Sequence, residues 1–149
     1  MGCESSAHRS REIDSLTWHE VRDAIACDVG VIMPVGATEQ HRFHLPIGTD
    51  VVLPTELARA VAEPLDFLIA PPLVYGCRSR PLSGGGQSFP GTISLSARIF
   101  MSALEDVLLG LLRHGFRRVA VLGWHMENTN FTYEAGALAV ENARSTTRG

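Results

Sequence analysis

Three short stretches of this chain place carboxylates and imidazoles at the ends of apolar runs: Glu39-Gln40-His41, Thr49-Asp50 and His125-Met126-Glu127. The pairs Glu39/His41 and His125/Glu127 are spaced i, i+2, which on an extended backbone sends both side chains to one side. Imidazole nitrogens and carboxylate oxygens suit zinc, manganese and related divalent ions. A carboxylate such as Asp50 can bridge two cations, and two cations about 3.5–4 Å apart acidify a shared water and polarise a carbonyl. Glu, Asp and His are also common at loop starts, so spacing alone leaves both a hydrolytic metal site and ordinary loop polarity open.

The elements that would position these groups are legible from pattern. Thr17, with Glu20 three residues on, forms a capping-box signature for a helix running to Cys27. Val29–Val35 is a short apolar run that ends at Gly36, as a buried strand would. Pro54 is expected to open a second helix that reads to about Glu63. Phe67–Ala70 reads as a strand, and Thr92–Leu95 as a short one. Ser96 caps the longest helix, which carries apolar residues at helical spacing to His114 and meets Gly115 where a left-handed C-terminal residue belongs. Val119–Leu122 reads as a strand ending at Gly123, and a last helix runs from about Thr132 to Arg144. Strands alternating with helices imply an α/β fold: a three-layer α/β/α arrangement around a largely parallel sheet. Ligand sites in such sheets form beyond the carboxyl ends of strands, where Glu39, His41, His125 and Glu127 lie.

Other polar residues read more simply. His44 suits a hydrogen bond to a ligand better than a metal. Trp124 is either a core filler or a pocket wall. Asn128 and Asn130 could cap the last helix. The Ser83-Gly84-Gly85-Gly86 run lacks the Gly-Lys-Ser/Thr ending of a phosphate-binding loop.

At 149 residues with a net charge of −3, the chain is one domain-sized unit without the positive field that nucleic acid or an anionic membrane would demand. Residues 1–14 read as a disordered polar tail and 15–149 as the folded domain. The three cysteines are widely spaced with no C-x-x-C, so no thiolate zinc site is suggested. No membrane-length apolar run or signal-peptide pattern is visible, which makes the cytoplasm the expected location.

Gly36-Ala37-Thr38-Glu39-Gln40-His41, His44-Leu45-Pro46 and Thr49-Asp50 together resemble the signature of the creatininase (creatinine amidohydrolase) family. Ser83-Gly84-Gly85-Gly86, Phe89-Pro90-Gly91-Thr92 and the spaced His125, Glu127 and Asn128 resemble its creatininase branch. The resemblance implies a homo-oligomeric metallohydrolase holding two divalent ions, zinc or manganese. Glu39 and Glu127 would hold one ion, His41 and His125 the other, and Asp50 both. Ser83 would contact a small-molecule substrate, with Met126 beside it. The implied reaction is hydrolysis of a C–N bond in a small cyclic amide, with a hydroxide held by the two metals as nucleophile.

Three departures stand beside the resemblance. Arg42-Phe43 replace the family's usual Gly-Pro, and Met126 replaces a tyrosine of creatininase, which leaves room for lactone-like or carbocyclic rings. The chain also stops one helix past the metal motif, where family members continue. The expected domain is therefore incomplete at its C-terminus, and a truncated, inactive metal-binding remnant or assembly partner is a second reading.

Overall fold

β1 (Gly30–Val35) is the axis of the molecule, and all six of its residues are buried. It pairs in parallel with β2 (Phe67–Ile69) on one side and β3 (Val119–Gly123) on the other, giving the order β2-β1-β3. The computed structural model describes residues 10–79 and 86–146. Alternate residues of β1 feed two cores. Val31, Met33 and Val35 pack with Phe100, Leu104 and Leu108 of α3 (Ala97–His114), Ala135 and Ala139 of α4 (Thr129–Thr146), and Ala24 of α1 (Trp18–Ala26). Ile32 and Ile69 face Ala58 and Ala62 of α2 (Thr49–Leu65) on the opposite side. The result is the expected α/β/α layering around a parallel sheet.

Local chemistry sets the element ends. Thr17 and Glu20 form the complete capping box of α1, and the Ser96 hydroxyl accepts from Ile99 N–H at the start of α3. Gly115 ends α3 at φ 108°, a conformation an L side chain resists. A proline inside a central strand is unusual because it removes a ladder donor. Pro34 is accommodated because even-numbered residues of β1 face β2, which has ended by this level. There the Pro34 carbonyl accepts from Leu73 N–H at 2.9 Å, past Pro71-Pro72.

Three boundaries differ from the sequence reading. α2 begins at Thr49, not at Pro54, because the Gly48 carbonyl already accepts from Val51 and Val52 N–H. Pro54 lies inside the helix. Asp50 consequently sits in the first helical turn, where the dipole favours a carboxylate. α4 likewise begins at Thr129. Thr92–Leu95 forms no strand but two isolated pairings, Ile93 with Thr38 and Leu95 with Cys77. Within the stretch read as a polar tail, Arg11 accepts at its carbonyl from Ile69 N–H, and its guanidinium pairs with Asp66.

Candidate metal centre

The five acidic and imidazole side chains leave three places around the carboxyl end of the sheet. Glu39 and His41 follow the end of β1, His125 and Glu127 follow β3, and Asp50 enters from α2. Ligand atoms of Glu39, His41 and Asp50 lie within 4.8 Å of one another, a grouping that could hold a metal ion. His125 joins them: its Nδ1 is 3.1 Å from Asp50 Oδ2 and 3.3 Å from Glu39 Oε1. Glu127 stands further out and joins through His125 Nε2, at 3.5 Å.

Asp50 is buried, and its two oxygens face two different imidazoles. Oδ1 lies 3.1 Å from His41 Nε2, and Oδ2 lies 3.1 Å from His125 Nδ1. The far nitrogen of each ring meets a backbone carbonyl: His41 Nδ1 is 3.0 Å from Glu39 O, and His125 Nε2 is 3.2 Å from Cys77 O. A carbonyl only accepts, so those nitrogens carry the hydrogens. Stripped of a proton there, His41 Nε2 and His125 Nδ1 would each turn a lone pair toward a carboxylate oxygen. Two acceptors at this distance require a proton or a cation between them. Backbone carbonyls on the outer nitrogens are the usual arrangement behind histidines that ligate metals.

The carboxylates around His125 and the imidazoles around Glu39 shift both groups toward their charged forms. Burial works against a charged His125, but hydrogen bonds to Asp50 and Glu39 outweigh it, and its pKa is pushed up to about 10. Burial also works against a charged Glu39. Hydrogen bonds from His125 and Ser79, with the charges of His125 and His41, outweigh that and lower its pKa. The buried Cys77 thiol is pushed up to about 11 by desolvation and by the charge of Glu127, so it is no thiolate donor.

Two supporting roles escaped the sequence reading. The buried Ser79 hydroxyl donates a hydrogen bond to Glu39 Oε2. Asn128 does not cap α4; it is almost fully buried and bonds to Gly36 and Cys77. Trp124, weighed as core filler or pocket wall, is half exposed, and Met126 is largely exposed. Ser83 lies outside the described residues. Among the expected ligands, Glu39 contacts His125, and Asp50 contacts both histidines.

The family profile described as creatinine amidohydrolase matches residues 14–147, and the chain belongs to the creatininase family. It is 40% identical over 133 residues to a creatinine amidohydrolase from Pseudomonas putida, covering 89% of this chain and 51% of that enzyme. It is 32% identical over 112 residues to a 3-dehydro-scyllo-inosose hydrolase from Thermotoga maritima, covering 74% of this chain and 34% of that protein. Among solved structures, a mutant creatininase of Zn–Zn type superposes with a TM-score of 0.89 at 38% identity, covering 93% of this chain and 54% of that one. A creatininase described with manganese superposes at 0.88 and 38% identity, covering 93% and 55%. The chain thus spans about half the length of the curated creatininase it matches. Among the described residues, no helix is long and apolar enough to cross a membrane.

Proposed function

We propose that this chain carries the metal-binding half of a creatininase-type hydrolase that opens a C–N bond in a small cyclic amide. The observation behind this reading is Asp50, a buried carboxylate with one oxygen toward each of two imidazoles whose outer nitrogens are held by backbone carbonyls. Glu39, His125 and Asp50 Oδ2 would hold one divalent ion. His41 and Asp50 Oδ1 would hold the second, which Glu127 would complete. Three carboxylates against two divalent cations leave a near-neutral cluster, a charge balance that suits a buried site.

When bound, such ions supply Lewis acidity, acidifying water and polarising a substrate carbonyl. The chain's own residues do the rest. Asp50 would offer one oxygen to each cation, Ser79 donates to Glu39, and the Glu39 and Cys77 carbonyls accept from the outer nitrogens of the two rings. Ser83 and Met126 are the proposed substrate contacts. Zinc or manganese fits the donor set, as relatives described in Zn–Zn and manganese forms suggest. A relative in complex with creatine points to a small polar ligand of this class. A homo-oligomer is the expected assembly.

The half-length match favours a second reading in which the chain binds metal but turns over nothing without further polypeptide. Likeness to an inosose hydrolase keeps a carbocyclic ring open as substrate, because exposed Met126 brings neither a hydroxyl nor a stacking face.

Elemental analysis of the purified chain, followed by assays of creatinine and cyclic-ketone hydrolysis, separates these readings. Two divalent ions with amide hydrolysis support the proposal. Metal without turnover supports the binding-only reading. Absence of metal refutes both.

A further inference from the structure

We propose that Asn128 is a positioning residue of the metal centre, aiming His125 through the backbone of Cys77. The inference rests on the metal-site reading above and concerns how that site is built. Asn128 closes a ring of hydrogen bonds on His125. Its own N–H donates to the His125 carbonyl at 3.1 Å, and its Oδ1 accepts from Cys77 N–H at 2.7 Å. The Cys77 carbonyl then receives His125 Nε2–H at 3.2 Å. The imidazole is therefore oriented relative to its own backbone by a residue three positions on, with Cys77 as the relay. Nδ1 is left pointing at Asp50 and Glu39.

The second arm of the amide reaches a different ligand-bearing segment. Asn128 Nδ2 donates to the Gly36 carbonyl at 2.9 Å, three residues before Glu39. One side chain thereby ties the end of β1, the turn after β3 and the segment at Cys77. The fit is close: a β-carbon on Gly76 would stand 2.7 Å from Gly36 O and 2.9 Å from Asn128 Oδ1. Every polar atom of the Asn128 side chain has a partner, and both partners are backbone groups that only an amide in this orientation satisfies together. A helix cap would need none of this.

The test is uptake of Co2+ alone by the folded chain, read both as affinity and as the visible d–d spectrum that reports ligand geometry. Asn128→Ala should weaken one of two binding steps by about 10–100-fold and alter its spectrum, the usual effect of removing a partner behind a metal ligand. Leu108→Ala, a cavity in the α3 core, controls for stability alone and should leave both steps intact. Wild-type affinity and spectrum in Asn128→Ala, or an equal loss in Leu108→Ala, would overturn the role. If Asn128→Ala yields no folded chain, Asn128→Gln carries the test, since it keeps both amide groups but displaces them by one methylene. Its unchanged spectrum would overturn the proposal, and a shifted one would support it. A wild-type chain that takes up no cobalt would remove the metal centre itself, and this role with it.

Discussion

Gly36 lies so close to Asp50 that a β-carbon added to it would stand 2.3 Å from the Asp50 carbonyl oxygen. The obstacle is backbone, which cannot swing aside as a side chain would. The last turn of the sheet and the first turn of α2 touch here because no side chain intervenes. Gly36→Ala should therefore push α2 away, costing about 3 kcal/mol of stability, the upper end of what overpacking costs. Urea unfolding measures this, and a loss below 1 kcal/mol would show that the two segments can separate freely.

Asp50→Ala removes the one group that faces both imidazoles. Elemental analysis should find both ions lost, and not one of two. A full complement in the variant would show that Asp50 is not the shared ligand.

Ser79→Ala deletes the hydroxyl that donates to Glu39. The carboxylate should become more basic and less fixed, and metal affinity should fall by about 10–100-fold. Titration with a chromophoric chelator measures the change. Unaltered affinity would reduce Ser79 to a packing residue.

The two shifted groups set opposite limits on the metal-free chain. His125 is raised, so its contribution to stability is complete below pH 6.5 and is lost as pH climbs through about 10. Glu39 is lowered, so its contribution is present above pH 4.5 and disappears as pH falls through its depressed value. The unfolding temperature in chelator should thus decline on both flanks. A cation must displace the His125 proton, so metal affinity should rise from pH 6.5 toward 10, and uptake at pH 7 should release about one proton. Calorimetry in buffers of differing ionisation enthalpy counts that proton, and zero release would contradict the arrangement.

What the sequence discloses depends on how far apart the partners are. Thr17 and Glu20 cap within four residues, and Ser96 caps three residues on, so both α1 and α3 were readable locally. The layering followed from β1, whose alternate residues face two cores. Pro54 misled because proline often marks a helix start, whereas Gly48 opens the helix here without a side-chain signal. Asn128 and Ser79 were illegible for another reason: their partners lie 51, 92 and 40 residues away. An asparagine beside a helix start looks like a cap until the fold brings a distant carbonyl to it. The acidic and imidazole residues were visible because four of them follow strand ends and Asp50 closes the intervening loop, but which sits beside which required coordinates.

Among the described residues, the strand order β2-β1-β3 leaves β3 on the rim, with Ala120 and Gly123 in contact with water. Parallel sheets are ordinarily sealed on both sides, and an outer strand offers a row of amides to any extended chain that approaches. Concentrated solutions should consequently show lateral self-association through that rim, growing with protein concentration in sedimentation velocity. A lysine at Ala120 should suppress it, since a charged flank repels a neighbouring strand before the ladder can zip.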